Sequence, residues 1–212
     1  MQERTKFKEQ STKYKNPSPD CTIDHEFDNG VDSLAAALKF ANFDIVSTNY
    51  DVKGTALDKI VKPYVVKTVA GVRVGLFGVG ISPVALIDPA NFKGVTYLDP
   101  ISTAQNVVKI LREKENCALV VCMSHLGYSD RPRPGSVGDQ LLAAQVDGID
   151  FIASGHTHIF MDQPIIQKQP CGAETMIFQV GKSGIYLGRV DFTFRAGKVV
   201  ARSGKLVDLR EV

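Results

Sequence analysis

The four histidines of the chain fall in three short segments, DHEFDN at 24–29, SHLG at 124–127 and GHTH at 155–158. Imidazole nitrogen is a good ligand for zinc, iron or manganese. His125, His156 and His158 therefore stand as candidate metal ligands, the last two spaced so that an extended backbone would point both side chains the same way. DHEFDN suggests a different use. Asp28, three residues after His25, can fix the imidazole tautomer and raise its basicity. A protonated His25 so placed could stabilise phosphoryl charge or protonate a leaving alkoxide. Asp24 is within reach of a metal. A plainer use of Asp28 or Asn29 is to cap a helix, and the two uses are compatible.

Elements that could position these residues follow from the apolar pattern. Twice a short apolar run leads straight into histidine, in CALVVCMSH and in IDFIASGHTH. Each reads as a buried strand, and in layered α/β folds ligands gather beyond the carboxyl ends of strands. Val31, Leu34, Ala35 and Leu38 recur at helical spacing and predict a helix to about residue 42, with Asp32 or Ser33 near its start. A second helix is expected over 102–115 and a third near 138–146. Strands are expected at 43–47, at 64–69 and 72–79 as a hairpin about Ala70-Gly71, at 165–166, 176–180, 185–194 and 198–202, with Gly197 turning the last pair. Alternating strands and helices followed by a β-rich end imply α/β layers around a sheet that is not purely parallel.

Composition narrows the function classes. At 212 residues, 44% apolar and a net charge of +2, the chain reads as a globular domain with no electrostatic case for binding a nucleic acid polymer. No apolar run is long enough to span a membrane, and no signal-peptide core is visible. Localisation is left open. Cys21, Cys117, Cys122 and Cys171 show no CxxC spacing. Cys117 and Cys122, five apart in one apolar run, are expected on opposite faces of a strand as free thiols. Residues 1–22 carry five basic and three acidic residues and two prolines, with little that can pack, and read as disordered or unrelated sequence. The remaining 23–212 reads as one domain. Arg131 and Arg133 could reach a phosphate near His125, although a solvated loop also explains them.

The segments HEFDNG at 25–30, SHLG at 124–127, GIDFIASGHTH at 148–158 and GKSGIYLGRVDFTF at 181–194 resemble the calcineurin-like metallophosphoesterases. They are most similar to the catalytic domain of the bacterial 5′-nucleotidase family. The resemblance implies an α/β fold, a two-sheet sandwich flanked by helices in the αββα arrangement. It also implies two divalent ions (Zn, Mn or Fe) at one edge, where hydroxide attacks a phosphate ester. By that resemblance His125, His156 and Asp24 match ligands of one ion and His158 a ligand of the other. His25 matches the histidine that contacts phosphate and leaving group, and Asp28 its partner. Asn49 resembles a recurrent asparagine to which no role is assigned. The implied function is phosphoric ester hydrolysis, with nucleotides as the expected substrates. Any nucleoside-binding domain would be supplied by another chain. A histidine-based redox or structural zinc protein also fits the strand-end histidines but leaves His25–Asp28 unexplained.

Two departures qualify the expectation. The family's opening strand, ending in Asp-x-His, and its Gly-Asp segment have no counterpart. Upstream of residue 24 the carboxylates are Glu3, Glu9 and Asp20, and there is no histidine. The chain is therefore expected to be a member lacking its first strand–helix units, binding one ion or none. The alternative function is then a catalytically impaired remnant or interaction subunit. The other departure is Asp24, where the family has asparagine. An added negative charge tightens metal retention, weakens Lewis acidity and repels phosphate. Asp24→Asn is expected to bind metal more weakly and turn over faster; titration calorimetry and a phosphatase assay check both, and unchanged values in the two would remove the idea.

Overall fold

A computed structural model of the chain describes residues 25–129 and 136–211. The 1–22 segment, Asp24, Arg131 and Arg133 lie outside the described residues. After a 3₁₀ turn at His25–Phe27 come α1 (Val31–Leu38), β1 (Ile45–Val46), β2 (Tyr50–Asp51), β3 (Val61–Lys62), β4 (Tyr64–Val69), β5 (Val72–Gly80) and β6 (Thr96–Tyr97). Next are α2 (Pro100–Lys109), β7 (Leu119–His125), α3 (Asp139–Gln145), β8 (Phe151–Ser154), β9 (Ile165–Lys168), β10 (Glu174–Phe178), β11 (Tyr186–Arg195) and β12 (Lys198–Asp208).

The central sheet has the order β4-β5-β7-β8-β10-β9. Its four inner strands are parallel and its two edge strands antiparallel. Alternation along the strands feeds two different cores. Phe77, Val79, Val120, Cys122, Ile152 and Ile177 face α2 and α3, where Ala104, Val107, Val108, Leu142 and Ala143 close the larger core. On the other face Val74 and Leu119, with Leu76, Val121 and Phe151, meet Phe192, Val190 and Phe194 of the β11–β12 hairpin. The chain is thus a mixed α/β sandwich, with helices over one face of the central sheet and a second β layer against the other. A third cluster gathers Phe27, Leu34, Tyr50, Val52 and Leu57 around α1 and the short strands. Among the described residues no helix is long and apolar enough to cross a membrane.

Local chemistry explains most element boundaries. Ala70-Gly71 and Ala196-Gly197 all have positive φ, the two-residue turn whose twist matches a hairpin. Asp99 caps α2, its carboxylate accepting from the Ser102 amide at 2.7 Å, with Pro100 at the first helical position. The helix expected over 102–115 starts earlier and widens after Lys109 into a π turn at Ile110–Lys114. That turn seats Arg112 against Asp150 at 2.6 Å and against the carbonyls of Cys117 and Gly148. The first helix ends at Leu38, short of residue 42, and Phe40 beyond it is exposed. Gly30 rather than Asp28 or Asn29 occupies its N-cap.

The cysteine expectation is corrected as well. Cys117 and Cys122 form no disulfide and are buried in the same core. The strand begins only at Leu119, so the alternation of faces does not extend back to Cys117.

Leu111, fully buried, lies directly over Gly75, where an added Cβ would come within 2.8 Å of Leu111 Cδ2. The glycine lets the π turn press onto β5. Leu111→Ala is expected to cost about 3 kcal/mol, transfer plus cavity; urea denaturation reads this directly.

Candidate metal centre

The parallel register makes the inner strands finish nearly flush. Gly80 pairs with His125 across β5 and β7, and Ser124 with Ser154 across β7 and β8. The histidine-bearing loops therefore leave one sheet edge side by side. His125 is the last residue of β7, and the GHTH segment follows directly on β8. The imidazoles of His125 and His156 approach to 5.3 Å between centroids, at 61°. Two imidazoles on one tetrahedral ion, with nitrogen–zinc distances of about 2 Å, have centroids about 5 Å apart. The pair therefore fits two ligands of a single ion. Among the described residues no group of three or more His, Cys, Asp or Glu is placed to hold a metal.

The turn that delivers His156 is not extended. His156 and His158 have φ of 70° and 55°, in the left-handed region rarely used by residues other than glycine. The extended backbone on which their side chains were expected to align is therefore not the one this turn has. His158 is exposed, and the ring pair is His125 with His156. Gly155 eases the close approach, since a Cβ there would stand a tight 3.1 Å from His125 Nδ1. Gly127 has a positive φ of 87°, and its missing Cβ leaves room for the Thr157 methyl.

Beneath the pair lies a carboxylate that the motif reading passed over. Asp139 opens α3, is fully buried, and accepts hydrogen bonds from the hydroxyls of Ser124 (2.5 Å) and Ser154. It thereby joins the ends of β7 and β8. Burial pushes its pKa up to about 6, against the lowering effect of the two serine hydroxyls and of His125. It sits in the first turn of α3, where an acidic residue is ordinary and carries no signal of a site. Gln179, 1% exposed, donates to Ser154 Oγ at 2.8 Å and extends the same network to the end of β10. Its one sequence signal was a carboxamide inside the apolar run MIFQV, since a polar group buried there must find partners.

His25 and Asp28 form a separate pair, Nδ1 to Oδ2 at 3.1 Å, on an exposed turn. Phe27 between them anchors the turn, fully buried and edge-on to Phe92 at 4.8 Å. Asn91 fastens it from outside by donating to the Asp28 carbonyl at 2.7 Å. Asn49 turns out to be a strap. Fully buried, it donates to the Gly80 carbonyl at 2.8 Å and accepts from the Gly80 amide at 2.9 Å, closing β5 beside His125.

No protein-family model matches the chain. A 5′-nucleotidase of Vibrio cholerae is 28% identical over 200 residues, covering 86% of this chain and 36% of the relative. The crystal structure of a 5′-nucleotidase precursor from Thermus thermophilus superposes with a TM-score of 0.80 at 30% identity, over 90% of this chain and 38% of that one. The calcineurin-like phosphoesterase YfkN of Bacillus subtilis shares the fold, with a TM-score of 0.70 at 22% identity over 91% of this chain and 64% of that one. The fold is that of the calcineurin-like phosphoesterases. Within that class the chain is a homologue of the 5′-nucleotidases, and metal dependence is a property of the family. It spans between 14% and 36% of the length of the curated relatives it matches.

Asp139 gives a pH signature. Its folded pKa of about 6 lies above the ordinary 3.8, so between those values the folded state keeps a proton that the unfolded chain releases. Stability from this group is present at low pH and lost as pH rises through about 6. In metal-free protein, Asp139→Asn is expected to gain on wild type by up to about 3 kcal/mol between pH 4 and pH 7; urea denaturation across that range checks it.

Proposed function

We infer that residues 23–212 form a metallophosphoesterase-type domain that hydrolyses phosphoric esters, with 5′-nucleotides the first class to test. The observation that carries this reading is the His125–His156 pair at adjacent strand ends, in a chain 30% identical to a 5′-nucleotidase precursor of the same fold. His125 and His156, with Asp24, hold a divalent ion (Zn, Mn or Fe), imidazole suiting each of these. His158 serves as a ligand toward a second ion. A divalent ion bound there supplies Lewis acidity toward a phosphate oxygen.

The protein groups have distinct tasks. His25 contacts the phosphate and gives a proton to the leaving alkoxide. Asp28 accepts from His25 Nδ1 and keeps the proton needed for transfer on the other nitrogen. The open turn that carries the pair leaves room for an ester to reach His25.

A second reading is supported by the grouping itself. The rings that approach one another are two, His125 and His156, and a pair of imidazoles by itself suits a half-site that holds one ion with little turnover. Metal analysis of the purified protein, combined with assays on 5′-AMP and p-nitrophenyl phosphate, separates the two. Two equivalents of metal with turnover support the hydrolase; one equivalent or none without turnover supports the impaired form. His156→Ala is expected to lose the bound ion, and with it at least a hundredfold in any turnover.

A further inference from the structure

Every hydrogen-bonding position of the Gln179 carboxamide is occupied by the segment that carries His156. Gln179 follows directly on β10 and is buried between apolar neighbours, Phe178 and Val180. Its Nε2 donates to Ser154 Oγ at 2.8 Å and to the Gly155 carbonyl at 2.5 Å. Its Oε1 accepts from Thr157 Oγ1 at 3.1 Å and from the Ile159 amide. A carboxamide has two N–H donors and two lone pairs, and residues 154, 155, 157 and 159 take all four. The orientation is unambiguous: the Gly155 carbonyl can only accept and the Ile159 amide can only donate.

The backbone reinforces the clamp. The Met161 amide donates to the Gln179 carbonyl at 3.1 Å and the Gly181 amide to the Ile159 carbonyl at 2.9 Å. What is clamped is a strained turn. Two residues other than glycine in the left-handed region, within three positions, persist only where their surroundings over-determine them. Gln179 reaches across that turn from the next strand. Through Ser154 it also meets Asp139, which holds the Ser124 hydroxyl beside His125. Its side chain is thus tied to both histidine-bearing loops.

We propose that Gln179 is a positioning residue for the metal-binding turn, its carboxamide fixing the His156 backbone and so the separation of the His125 and His156 imidazoles. This rests on the reading of that pair as metal ligands. Loss of the clamp should loosen metal binding by widening the range of positions open to His156, even where the fold survives.

Zn²⁺ titration calorimetry on the metal-free full chain tests this, with Co²⁺ absorption as a report on ligand geometry and a metal-free melting curve as a report on folding. Gln179→Met keeps the volume but removes every hydrogen bond. It is expected to bind Zn²⁺ at least tenfold more weakly and to change the Co²⁺ d–d bands. A folded Gln179→Met with wild-type Zn²⁺ affinity and Co²⁺ spectrum overturns the proposal while leaving the metal-site reading standing. Wild-type protein that binds neither ion overturns both. Should Gln179→Met not fold, Thr157→Val decides, since it deletes one donor to Gln179 Oε1. Weakening of at least threefold supports the clamp, and unchanged affinity overturns it.

Discussion

The flush ending of four parallel strands is the constraint on which the rest of this molecule depends. Strands β5, β7, β8 and β10 run the same way in register, so Gly80, His125, Ser154 and Gln179 arrive at one edge. Ends brought together in this way expose polar backbone that the ladder no longer pairs, and each buried group must be satisfied. The Gln179 carboxamide does that for Gly155 and Ile159, the Ser124 hydroxyl for the Leu126 amide and Asn49 for Gly80, while Asp139 ties the hydroxyls of Ser124 and Ser154 together. The histidines are carried by backbone that this network immobilises.

Packing sets the same edge from below. Both faces of the sheet are covered, by α2 and α3 on one side and by the β11–β12 hairpin on the other, so its strands cannot slide without reversing the alternation that fills both cores. Glycines occur where elements come close together, at Gly75 beneath Leu111 and at Gly155 beside His125. The rigid sheet and the strained turn are complementary. A left-handed His156 is tolerable because the strand before it and the strand beside it are fixed.

Much of this was legible in the sequence, and the reasons are local. Apolar runs ending in histidine placed β7 and β8, and Ala70-Gly71 and Gly197 marked two hairpins, because period and turn chemistry act within a few residues. The His25–Asp28 pairing is a three-residue contact and was equally accessible. Failures share the opposite cause. The left-handed turn at 156–158, the common core of Cys117 and Cys122, and the π turn after Lys109 each depend on what packs against the segment from elsewhere in the chain. Asp139 and Gln179 were overlooked because their partners lie 15 to 25 residues away in sequence.

By itself the sequence determined the residue types at the strand ends, the layered α/β class and the kinship with calcineurin-like phosphoesterases, since these rest on short motifs and on the alternation of apolar residues. Only the tertiary structure decided that His125 pairs with His156, that Asn49 straps a strand end, and that a buried carboxylate and carboxamide lie beneath the site. The physical reason is distance along the chain. A side chain's type is written at its own position, but its placement depends on hydrogen bonds and packing among strands that meet only once the sheet has formed.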